Sequence, residues 1–127
     1  MAAKSTYLRN AIYNAIFRNT GFTGPATVYL SLHTADPGLT GANEVAGNAY
    51  ARTAIAMGAP SGGSGSNAAL VFPAPTPANW GTVTHIGFWD AASNGNFLGG
   101  VALTNQVATS IGVPVDFAAG GIVWSET

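Results

Sequence analysis

Two histidines and five carboxylates are the groups in this 127-residue chain that could move protons: His33, His85, Asp36, Glu44, Asp90, Asp116 and Glu126. His33 lies three residues before Asp36, and His85 lies five before Asp90. Either pair, joined to one of the many serines, can be drawn as a catalytic triad. The G-x-S-x-G nucleophile elbow does not occur, however. Both histidines fall in strand-like segments and are read as structural, each hydrogen-bonding within a sheet or loop. A small hydrolase acting through His85 is the enzymatic alternative. The acids show neither a spacing for a glycosidase pair nor the clustered oxygens of a calcium loop. Asp36 before Pro37 reads as a turn initiator. Glu44 and Arg52 flank one loop and read as a pair that pins it.

Gly63-Ser-Gly-Ser-Asn-Ala68 has the letters of a dinucleotide-binding G-x-G-x-x-A. Its context is wrong, because Leu70-Val-Phe-Pro73 follows where a helix should begin. With cysteine absent, thiol catalysis, thiolate metal sites and disulfides are all excluded. The sequence calls for no catalytic residue, metal or cofactor.

The elements that would position these groups are mostly strands. Ser5 to Phe17 is the one convincing helix, with Ser5 or Thr6 to cap it and Gly21 beyond its end. Tyr7, Leu8, Ala11, Ile12, Ala15 and Ile16 recur at helical spacing as one broad apolar face. Tyr13 and Phe17 form a second stripe. The helix is therefore either sandwiched between two layers of its own domain, or it docks Tyr13 and Phe17 on a neighbouring subunit. From Thr27 onward the pattern is β: alternation over Val28–His33 and Tyr50–Met57, a short strand at Ala69–Phe72, and a strand within Trp80–Asp90. An Asn94-Gly95 turn then leads into an antiparallel return over Phe97–Thr104. A last hairpin is predicted over Gly112–Ser125, and Gly58–Asn67 reads as a flexible connection. The fold expected is mainly β: one domain over residues 1–127, an antiparallel β-sandwich of jelly-roll or immunoglobulin-like type with one N-terminal helix at about residues 5–18.

Charge is scarce. Lys4, Arg9, Arg18 and Arg52 face five acids, only 7% of the chain, where an ordinary soluble domain carries roughly 25%. The net charge of −1 offers no field for nucleic acid or an anionic membrane. No apolar run is long enough for a membrane span, and Arg9, Asn10 and Asn14 interrupt any signal-peptide core. A surface of Gly, Ala, Ser, Thr and Asn is cheap to bury against other proteins, which implies a subunit of an assembly. The aromatics Trp80, Phe88, Trp89, Phe97, Phe117 and Trp124 serve either as core or as a carbohydrate platform. Phe88 and Trp89, being adjacent in a strand, point to opposite faces, so one meets the domain's own core and the other meets a second layer or another chain.

Val28-Tyr-Leu-Ser-Leu-His-Thr-Ala-Asp-Pro-Gly38, then Thr40-Gly-Ala-Asn-Glu-Val45 and Tyr50-Ala-Arg52, resemble a family of small bacteriophage virion proteins. Trp80-Gly-Thr-Val-Thr-His-Ile-Gly-Phe-Trp-Asp90, a Gly-containing turn and Phe97-Leu98 continue the likeness in order. Such proteins are tail-fibre, minor tail or head-decoration components, and the resemblance carries over no catalytic residues. It implies a non-enzymatic virion protein made in the host cytoplasm, first as capsid cement stabilising the head. The alternative is a tail or tail-fibre component, which would include a receptor- or carbohydrate-binding module. The partners implied are further copies of the chain, as a homotrimer, and major capsid or tail proteins. Tyr13, Phe17, Phe88 and Trp89 are the candidate interface residues.

Overall fold

The computed structural model describes residues 3–126. In chain order its elements are β1 (Ala3–Lys4), α1 (Thr6–Phe17), β2 (Val28–His33), β3 (Thr53–Ile55), β4 (Ser64–Ser66), β5 (Leu70–Val71), β6 (Thr82–Trp89), β7 (Phe97–Ala108), β8 (Asp116–Phe117) and β9 (Val123–Ser125).

Local chemistry accounts for the helix ends. The Ser5 hydroxyl accepts the Leu8 N–H at 3.0 Å, satisfying one of the first-turn donors that an α-helix leaves free. At the other end Asn19 adopts φ 52°, and the Arg18 and Thr20 N–H groups both close on the Asn14 carbonyl. The stop is thus Asn19, two residues before the expected Gly21, because asparagine also tolerates the left-handed region.

Five strands form one antiparallel sheet in the order β1-β7-β6-β2-β3. Leu30 pairs with Phe88 and Leu32 with Ile86, so the alternation within β2 and β6 places one row of large side chains in the interior. Leu30 and Leu32 are fully buried, as are Val83 and Phe72. The β6–β7 hairpin turns where Asn94 and Gly95 both have positive φ, 56° and 75°. The Asp90 carboxylate braces that turn by accepting the Asn96 backbone and side-chain N–H groups at 2.7 and 2.9 Å.

A second layer covers the sheet and differs from expectation. Its pieces are two short ladders, β4–β9 and β5–β8, which bring Leu70, Phe72, Val115 and Ile122 onto the core. The predicted Gly112–Ser125 hairpin does not form. Its two halves pair instead with β5 and β4, since that arrangement buries Val115 and Ile122 at 4% and 2% exposure. Likewise Gly58–Asn67 is no loose connection, because Ser64–Ser66 pairs with β9. Local composition could not reveal a partner some sixty residues away. Strand β7 runs on to Ala108, past the expected end at Thr104, and its register with β6 shifts between Val83 and His85. The chain is mainly β, an antiparallel β-sandwich with one N-terminal helix.

Helix α1 lies on the outside of this sandwich. It contacts β7, Leu8 packs against the core, and no helix residue is buried. The expected sandwiching of the helix between two layers of its own domain is therefore absent among the described residues.

Candidate interaction surface

Strand β2 carries Ser31 and His33, both fully buried. The Trp89 Nε1–H donates to Ser31 Oγ at 2.9 Å, and Ser31 Oγ lies 2.7 Å from His33 Nε2. On the other side of the ring, His33 Nδ1 lies 2.7 Å from the Ala42 carbonyl. A carbonyl can only accept, so Nδ1 holds the proton and Nε2 receives the serine O–H. The Ser–His contact of a nucleophilic dyad is present, but it is sealed from solvent and fully used in fastening the 34–45 loop to the sheet. His85 lies on the neighbouring strand, with Nδ1 2.8 Å from Thr84 Oγ1.

Burial lowers the His33 pKa from 6.5, outweighing the Ala42 hydrogen bond and the Glu44 charge that raise it. The unfolded chain therefore binds a proton at His33 before the folded chain does. The stability this histidine contributes is complete above about pH 6.5 and is lost as the pH falls through its lower folded-state value. Thermal melting followed by circular dichroism should fall from pH 7.5 to 5.5, with a slope of up to about 1.4 kcal/mol per pH unit. His33→Gln should be less stable at pH 7.5 and nearly flat over that range. An equally steep slope in the variant would contradict the assignment.

The loop-flanking pair Glu44 and Arg52 meets in a two-pronged ion pair, with Arg52 Nε to Glu44 Oε2 and Nη2 to Oε1 both 2.9 Å. Arg52 Nη1 donates to the carbonyls of Ala91 and Asn94 at 3.0 and 2.8 Å, and the guanidinium stacks 3.7 Å over the Trp89 ring. The Tyr50 hydroxyl donates to Glu44 Oε2 at 2.7 Å and accepts the Leu32 N–H at 3.1 Å. Burial raises the pKa of Glu44, but the hydrogen bonds from Arg52 and Tyr50 together outweigh it and leave the carboxyl below its ordinary value. Burial, then the bond to Glu44, drives the Tyr50 phenol well above its ordinary value, so Tyr50 remains a donor. Three segments are tied by one guanidinium. Gly41 within this loop has φ +83°, and a Cβ there would stand 2.5 Å from the Trp89 ring.

Two of the remaining acids also have structural contacts. Asp36 caps its turn by accepting the Gly38 N–H at 2.8 Å. Glu126 pairs with Lys4 at 2.9 Å and accepts the Trp124 Nε1–H. Asp116 is exposed on β8.

Phe88 and Trp89 do point to opposite faces, but neither reaches the surface. Phe88 is 3% exposed and packs edge-on against Trp124, whereas Trp89 is 9% exposed between Arg52 and Phe97. The loop and the second layer claim both aromatics, which corrects their selection as interface residues. Trp80 and Phe97 are also buried, and Phe117 and Trp124 are half-buried, so these six rings make no sugar platform.

Tyr13 and Phe17 lie outward on α1, their ring centroids 4.9 Å apart. Ile12 and Ile16, expected on the inner face, turn out with them. Ile16 and Phe17 are about 70% exposed, at 70% and 72%. The inner face is instead the half-buried line Leu8, Ala11 and Ala15. That line was legible in principle, since small alanines let a helix approach a sheet closely. Arg9 lies on the outward side with these apolar residues, and the helix carries no acid.

The segments with virion-protein likeness occupy β2, the loop that follows it, β6 and the β6–β7 hairpin, all within one sheet and its covering loop. Residues 3–125 match the family described as "Podophage GP4 fiber I protein gp80", and the chain belongs to that family. It is thus a bacteriophage virion structural protein. A comparison with curated proteins found no match.

Proposed function

We propose that the chain is a non-enzymatic subunit of a phage tail fibre, assembling as a homotrimer and with neighbouring tail proteins. The carrying observation is its match over residues 3–125 to a fibre family. That match favours a fibre subunit over capsid cement. The geometry supports assembly, because Ile12, Tyr13, Ile16 and Phe17 form an outward apolar helix face on a chain that is otherwise poor in charge. Surfaces of this kind mark contacts with other proteins. The burial of the strand aromatics favours a structural role over glycan binding.

Labelling of intact virions with an antibody against the chain, followed by electron microscopy, tests this reading. Label on the fibres is expected. Label spread over the capsid facets would overturn it.

A further inference from the structure

Beside the first turn of α1 the surface sinks into an apolar hollow of about 230 Å³, walled by Leu8, Met57, Phe88, Leu98 and Trp124, with Glu126 at its rim. An apolar cavity of about 150 Å³ already accepts a benzene ring, so this one has room for a phenyl side chain. At the other end of the helix Phe17 projects with 72% of its surface exposed, and Arg18 follows it directly. Knob and hollow carry matching chemistry: an aromatic ring then a cation on one, an apolar recess then a carboxylate on the other.

The same chain cannot join them. Leu8 lines the hollow, and Phe17 is nine residues farther along a rigid helix, about 13 Å at 1.5 Å per residue. We propose that Phe17 of one copy fills the hollow of a second copy, with Arg18 facing Glu126. Glu126 can accept this partner. Its side chain is 47% exposed, Lys4 engages Oε1 and Trp124 engages Oε2, and each carboxylate oxygen has a second acceptor site. Because donor and acceptor surfaces differ, the contact is head-to-tail, and such contacts close into a ring or continue as a filament. One contact offers little more than one helix end, below the roughly 800 Å² per partner of a standard interface. Association is therefore weak for one pair and strengthens as contacts accumulate. This inference rests on the reading that the chain assembles with copies of itself.

Sedimentation equilibrium on the full chain tests it with Phe17→Ala, Arg18→Glu, Glu126→Arg and the double exchange Arg18→Glu/Glu126→Arg. Wild type should self-associate, and each single variant should weaken association about tenfold or more. The double exchange should recover most of it. Mixing Arg18→Glu with Glu126→Arg should restore pairwise association between the two variants, because each then offers the complement of the other, a result that a folding defect cannot imitate. A ring of three keeps one mismatched contact, so recovery is read as mixed dimers and open chains rather than as closed trimers. A wild type that stays monomeric at the highest concentration reached, single variants that associate normally, or a mixture that does not recover would each overturn the inference. None of these would move the chain from the fibre, which is judged separately by labelling of the particle.

Discussion

Replacing Arg52 by alanine is expected to destabilise the domain by about 3 to 5 kcal/mol, the range seen when one partner of a buried ion pair is removed. The side chains of Arg52 and Glu44 are only 9% and 20% exposed, so solvent screens the loss little. The variant leaves the Glu44 carboxylate half-buried without its cation, takes the donor from the Ala91 and Asn94 carbonyls, and strips the guanidinium from the Trp89 face. Arg52→Lys should recover less than half, because an ammonium cannot reproduce the fork or the stacking. The sign of the pH dependence is a further check. Glu44 is held below its ordinary 4.5 by Arg52 and Tyr50, so its contribution is present above that pH and lost as the pH falls through the folded-state value. The gap between wild type and Arg52→Ala in urea unfolding should therefore narrow below about pH 4.5. A loss under about 1 kcal/mol at pH 7, typical of an exposed pair, would show that the network is solvated.

Phe72→Ala should destabilise by a comparable amount, about 3 to 5 kcal/mol, through lost transfer energy and the cavity left behind. Phe72 is fully buried just beyond β5, stacked on Tyr50 at 6.4 Å and edge-on to Phe117 at 6.1 Å. Its aromatic neighbours come from the loop before β3 and from β8, so it fastens the second layer to the common core. Equilibrium unfolding followed by both tryptophan fluorescence and far-ultraviolet circular dichroism should show one coincident transition shifted to lower urea. A small loss, or two separated transitions, would mean that the second layer folds independently of the sheet.

Both substitutions act on the architecture that carries the outward helix, and neither touches Phe17, Arg18 or the hollow. They should lower stability without selectively altering self-association below the unfolding transition. That separation lets changes at the helix end be read as effects on assembly.

Much of this protein was already legible in its residues. The alternation in Val28–His33 and Trp80–Asp90, the Asn94-Gly95 turn, the Ser5 cap and the pairing expected of Glu44 and Arg52 depend on neighbours in sequence or on charge scarcity, and local chemistry dictates them. The paucity of charge implied an assembly, and the residue likeness in the β region indicated a virion protein. Only the tertiary structure decided which apolar surface is left over. Tyr13, Ile16, Phe88 and Trp89 are equally apolar as letters, and their exposure depends on whether distant segments cover them. The 34–45 loop and β9 close over Trp89 and Phe88, whereas no described element closes over the outer face of α1. The pairing of β4 with β9 was hidden for the same reason: closure between segments far apart in the chain is governed by the burial of Ile122 beside β9, not by the Gly/Ser composition of β4 that receives it.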